Sequence, residues 1–282
     1  MNSYASPVMF LPKAFLVLFL IGAAFTSLPA QLLPRTQAKA PTELPASLKP
    51  EAQQRDSYIW ADRHAAVLER NKTVKPEVVF FGDSITHFWG GEPNAQKYNI
   101  GADSWDKLFK GHTVTNLGFG FDYVDNAYFR VQNGELEGIS PKIIIVCIGT
   151  NNLGHRKDSA QDCAANTRAF VQLLRTTAPQ SKILLLGIYP RREAELAEPI
   201  RENNQLIAKL ADNKHIFFAD VGRVLLSADK KLANPKLMRD TVHPNAEGYR
   251  CLAAEIAKKL AALNPQFRKG ALTPLSQKRM TK

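Results

Sequence analysis

Five short apolar runs, separated by stretches with helical spacing, constrain this chain more than any other feature of it. They are Val78-Val79-Phe80-Phe81, Thr113–Leu117, Ile143–Ile148, Ile183–Ile188 and Ile216–Val221. Runs of this length, mostly free of polar interruptions, are the pattern of strands covered on both faces. Between and around them lie helical faces. Tyr58, Trp60 and Val67-Leu68 mark a first helix; Phe170, Leu173 and Leu174 share a face of another. Ile200, Leu206, Ile207 and Leu210 form a third face, and Tyr249, Leu252, Ala253, Ile256 and Leu260 a fourth, with Pro244 near its start. Strand and helix in alternation specify an α/β domain with a parallel sheet covered by helices. A sheet of that kind keeps its functional site at the carboxyl ends of the strands, near a topological switch point. There is no internal repeat.

The flanks read differently. Lys13, an apolar run from Ala14 to Phe25, and Thr26-Ser27-Leu28-Pro29-Ala30 have the form of a signal peptide over residues 1–30. The run is short for a bilayer span, so the expectation is export to a periplasmic or extracellular location, with no stable membrane span after processing. Pro34, Pro41, Pro45 and Pro50 suit an extended linker over 31–50, leaving a catalytic-sized domain over 51–265 and a basic tail over 266–282. The formal net charge is +11, but Lys13, Arg268, Lys269, Lys278, Arg279 and Lys282 belong to the flanks. The excess is thus largely terminal, and no nucleic-acid partner is expected. Cys147, Cys163 and Cys251 are odd in number and widely spaced, which argues against a disulfide framework and a cysteine metal site.

Three motifs could carry chemistry. Gly82-Asp83-Ser84-Ile85-Thr86 follows the first strand, where Ser84 is either a nucleophile at a strand-to-helix turn or a helix N-cap. Gly149-Thr150-Asn151-Asn152 follows the third strand, where an amide either donates to a developing oxyanion or serves a turn. Asp240-Thr241-Val242-His243 can set a carboxylate against an imidazole, or be a surface loop. Among the histidines, His64 and His155 lack such a context, His112 and His215 precede strands, and His87 follows Ser84 too closely to reach back. His243 is the base by elimination. Gly118 and Gly120 begin a dinucleotide-type glycine pattern, but Tyr123 stands where its third glycine belongs.

In this order the motifs resemble the SGNH (GDSL-type) hydrolase superfamily over about residues 55–262, and most of all its platelet-activating-factor acetylhydrolase-like esterases. The resemblance also rests on Asn116-Leu117-Gly118-Phe119-Gly120-Phe121-Asp122, Gln132-Asn133-Gly134-Glu135-Leu136 and Gly187-Ile188-Tyr189-Pro190-Arg191. It implies a flavodoxin-like three-layer α/β/α sandwich with a central five-stranded parallel sheet, and a serine esterase acting on short-chain acyl esters without metal or organic cofactor. It assigns Ser84, Asp240 and His243 to a catalytic triad. The oxyanion hole falls to Ser84, Asn151 and either Gly120 or Phe121. Phe121 stands where many relatives have glycine, which puts its backbone conformation in question. Ile85, Thr150 and Val242 adjoin these positions and are expected to wall a small acyl pocket. Export points to a small ester or an acetylated carbohydrate as substrate. The alternatives are a carbohydrate O-acyltransferase using the same triad and a non-catalytic binding module of the same fold.

Overall fold

The computed structural model describes residues 43–93 and 99–270. The signal-like segment, most of the proline-rich stretch and the end of the basic tail lie outside the described residues. Helix α1 spans Trp60–Thr73, strand β1 Val78–Gly82 and the single turn α2 Ser84–His87, followed by α3 at Ala102–Leu108. Then come β2 (Val114–Gly118), α4 (Val124–Gln132), β3 (Ile143–Cys147) and α5 (Ala160–Thr177). The chain continues through β4 (Lys182–Leu186), α6 (Ala197–Ala208), β5 (Ile216–Ala219) and α7 (Ala246–Leu263). The five strands form one sheet in the order β2-β1-β3-β4-β5, with every pairing parallel. This is the flavodoxin-like order, with its switch point between β1 and β3.

The apolar runs are explained by what covers them. Side chains alternate across a strand, so Val78 and Phe80 enter one core while Val79 and Phe81 enter the other. The first core packs β1, β3 and β4 against Trp105 and Leu108 of α3 and Tyr249, Leu252 and Ile256 of α7. The second packs the opposite face against Val67 of α1, Tyr128 of α4, Phe170 and Leu174 of α5 and Ile207 of α6. The result is three layers. Asparagine and serine start the long helices: Asn245 accepts from the Gly248 N–H and Ser159 from that of Asp162, each at 3.0 Å. No helix among the described residues is long and apolar enough to cross a membrane.

Two expectations need adjusting. The fifth strand ends at Ala219, because a 3₁₀ turn over Val221–Leu225 follows at once. Residues 43–50 were expected to end an extended linker, yet they pack on the body. Leu48 is buried in the second core, Ser47 Oγ donates to Asn166 Oδ1 at 2.7 Å, and the Lys49 N–H donates to Asp125 Oδ1 at 2.7 Å. Proline removes donors there, but a leucine and two polar anchors suffice to dock the strip on α4 and α5.

Candidate active site

The switch point brings together the loops after β1 and β3, and the loop before α7 reaches over them. Asp83, not Ser84, caps α2: its carboxylate accepts from the Ile85 N–H at 2.9 Å. Ser84 is therefore free of the capping duty that the alternative reading gave it, and its own N–H lies in the first turn, where helices leave donors unpaired. Ser84 Oγ lies 2.8 Å from His243 Nε2, and His243 Nδ1 lies 2.8 Å from Asp240 Oδ2. The second Asp240 oxygen accepts from the N–H groups of Val242 (2.8 Å) and His243 (2.7 Å), so the turn locks its own carboxylate. Burial alone would raise the Asp240 carboxyl, but those backbone hydrogen bonds and the one to the imidazole hold it below its ordinary range. Phe88 packs against the His243 ring with centroids 5.1 Å apart.

Asp83 itself is fully enclosed. Burial, helped by the charge of nearby Asp122 and opposed by the Ile85 hydrogen bond, pushes it up to about 7. Beneath the loop after β2, Asp122 accepts from Trp60 Nε1 at 2.8 Å and from Arg130 Nε at 3.1 Å, while Arg130 also pairs with buried Glu135. This buried network anchors the loop after β2 at Asp122.

The asparagines divide their work. Asn152 ties the loop, its Oδ1 accepting from the Val124 N–H at 3.1 Å and its Nδ2 donating to Asp158 at 3.0 Å. Asn151 donates one amide hydrogen to the Asp122 carbonyl at 3.1 Å; the amide carries two. Gly120 and Phe121 part company as well. The Gly120 N–H donates to His87 Nδ1 at 3.2 Å, so the expectation that it could serve an oxyanion is corrected. The Phe121 N–H has no acceptor among the described residues. Phe121 adopts φ 68°, the left-handed conformation, at a cost of about 1–2 kcal/mol for a residue with a Cβ.

Of the acyl-pocket residues, Ile85 is 4% exposed and joins the first core, Thr150 is buried, and Val242 is half-buried against that core. A cavity of about 860 Å³ opens elsewhere, among Ile188, Arg191, Ile200, Phe218, Arg223 and Leu232. Between it and the Ser84 loops stands a group that sequence reading missed. Arg191 donates to the Thr150 carbonyl at 3.3 Å and pairs with Glu193 at 2.6 Å, and Glu193 accepts from Thr241 Oγ1 at 3.1 Å. Arg191 was visible as part of a motif; its partners were not.

The sequence matches the GDSL-like lipase/acylhydrolase family over residues 80–251. Platelet-activating factor acetylhydrolase IB subunit alpha1 of Bos taurus is 31% identical over 195 residues, covering 67% of this chain and 77% of that protein. A GDSL-like lipase from Bacteroides thetaiotaomicron VPI-5482 superimposes with a TM-score of 0.55 at 19% identity, covering 71% of this chain and 97% of its own. Est24, a carbohydrate acetylesterase from Sinorhizobium meliloti, gives 0.51 at 20% identity, covering 67% and 100%. A match across most of the sheet, the same fold in solved structures and Ser84 at the switch point agree: the chain belongs to the GDSL-like lipase/acylhydrolase family.

Proposed function

We propose that this protein is an exported serine esterase that removes short acyl groups, acetyl first, from a carbohydrate or another small alcohol. The observation that carries the reading is the unbroken Ser84–His243–Asp240 relay, with 2.8 Å at each step. Attack forms a bond from Ser84 Oγ to the ester carbonyl carbon while His243 Nε2 takes the hydroxyl proton, and Asp240 stabilises the imidazolium. The Ser84 N–H, the Phe121 N–H and the second Asn151 amide hydrogen receive the oxyanion. Collapse breaks the bond to the alcohol, which leaves with the proton from Nε2, and acyl-Ser84 remains. Water then attacks, giving its proton to Nε2; the bond to Oγ breaks and the proton returns to Ser84.

Acetyl is favoured because an acetylhydrolase relative and a carbohydrate acetylesterase of the same fold are named for it, and because Ile85 and Thr150, adjoining Ser84 and Asn151, are buried. The signal-peptide pattern of residues 1–30 supports a glycan over a cytosolic lipid. The test is covalent labelling by a fluorophosphonate, located by peptide mass spectrometry, beside rates on acetyl to hexanoyl esters and acetate release from acetylated xylan. The expected results are an adduct on Ser84 and kcat/KM falling steeply with chain length. No adduct would favour a binding module, equal rates on hexanoyl esters would overturn the small pocket, and acyl transfer to sugar outrunning water would make the protein a transacylase.

A further inference from the structure

Phe121 is both strained and exposed: its backbone is left-handed and the residue is 49% exposed, its ring meeting His155 edge-on at 5.4 Å and the Arg55 guanidinium at 5.7 Å. The hold on its backbone comes from a segment ahead of α1. Tyr58 Oη donates to the Gly120 carbonyl at 3.0 Å, and Arg55 Nε donates to the same oxygen at 3.2 Å. Arg55 Nη2 donates to the Phe121 carbonyl at 2.9 Å, bracketing the residue from both sides. Neither side chain is loose. The Arg55 side chain is 11% exposed, with Nη1 on Gln53 Oε1 at 2.6 Å and Nη2 3.7 Å from Asp122. The Tyr58 ring meets His87 edge-on at 5.2 Å. Burial raises the Tyr58 phenol, with Asp122 adding to it, so the hydroxyl keeps its proton to donate.

A trans peptide is planar, and its C=O and N–H point in opposite directions. Gripping the Gly120 carbonyl therefore aims the Phe121 N–H the other way. The Gly120 N–H bond to His87 ties the preceding peptide to α2, the turn that begins with Ser84. We infer that Arg55 and Tyr58 are positioning residues, which hold the Gly120–Phe121 peptide so that the Phe121 N–H is directed at the oxyanion. Both precede the stretch matched by the family, residues 80–251. The inference rests on the proposed esterase reading.

The test uses the full chain with p-nitrophenyl acetate. Tyr58→Phe keeps the ring, and Arg55→Met keeps the stem; each should lower kcat about tenfold or more with KM within about twofold, and together about a hundredfold. Arg55→Lys should recover part of the loss, since an ammonium keeps charge and donors but lacks the planar fork whose separate nitrogens reach the two carbonyls. In a Phe121→Gly background the left-handed conformation is unstrained, so the same substitutions should cost about threefold or less. Thermal unfolding of each variant separates lost aim from lost fold: Tyr58→Phe should melt within a few degrees of the parent. Unchanged kcat in Tyr58→Phe and Arg55→Met, or equal losses in both backgrounds, would overturn the inference, as would a rise in KM alone. Ser84→Ala run alongside tells the two failures apart. If it stays active the esterase reading itself falls; if it is dead while the Arg55 and Tyr58 variants are unimpaired, only the positioning role falls.

Discussion

Ser84 and His243 are 159 positions apart in the chain, yet their side chains meet at 2.8 Å. A hydroxyl is a weak nucleophile without a base, and a base without the hydroxyl has nothing to activate, so the proposed esterase requires the two to act as one unit. Ser84→Ala and His243→Ala are each expected to lower kcat by about a thousandfold or more, and the double variant should be little worse than either. Steady-state kinetics on one ester decide this; losses that multiply would separate the two residues. The sequence exposed both because each sits in a local motif. Arg55 left no such mark: its acceptors, the carbonyls of Gly120 and Phe121, are 65 and 66 positions away.

Among the elements, α2 decides where Ser84 stands, and two strand-end glycines admit it. A Cβ on Gly82 would lie 2.0 Å from Thr86 Oγ1, and one on Gly118 would lie 2.3 Å from the His87 nitrogen. The second clash is with backbone, which cannot rotate away. Asn116 adds the fastening, donating to the carbonyls of Thr86 (2.8 Å) and Gly90 (2.6 Å) and accepting from the Gly118 N–H at 2.7 Å. Gly118→Ala should therefore push α2 off the sheet. We expect a loss of about 1–3 kcal/mol in urea unfolding, as for other overpacked sites, together with a fall in kcat of tenfold or more from displacement of Ser84. A destabilised variant with undiminished kcat would show that Ser84 does not ride on α2. The glycines were legible as parts of motifs; that they face the same turn from two strands was not, since β1–β2 pairing brings them together.

For the molecule as a whole, the buried Asp83 carboxyl ties stability to pH. The unfolded chain loses that proton near 3.8 and the folded one near 7. Between those values the folded state binds more protons, so stability falls as pH rises, and the full penalty is present above about 7. Asp83→Asn keeps a good N-cap and carries no charge at any pH. The melting temperature of the parent should drop relative to that of the variant between pH 5 and pH 8. Parallel profiles would mean that Asp83 titrates normally. Taking the difference removes groups with the opposite slope, such as Asp212, which three backbone N–H bonds hold down to about 2.

The sequence alone determined the layers of this protein, because two-sided burial writes itself into β1, β3 and β4 as unbroken apolar runs. It also offered the Asp240–His243 pairing as one of two readings of a local motif, and the structure sets the imidazole 2.8 Å from the carboxylate. Tertiary structure alone decided which N–H beside Ser84 keeps no acceptor among the described residues. Gly120 and Phe121 are equivalent donors in sequence; His87 takes one, and Tyr58 and Arg55 turn the other away from themselves. Hydrogen bonds between distant residues leave no periodicity to read. They exist only once the sheet order has brought α2, the loop after β2 and the strip before α1 to the same edge.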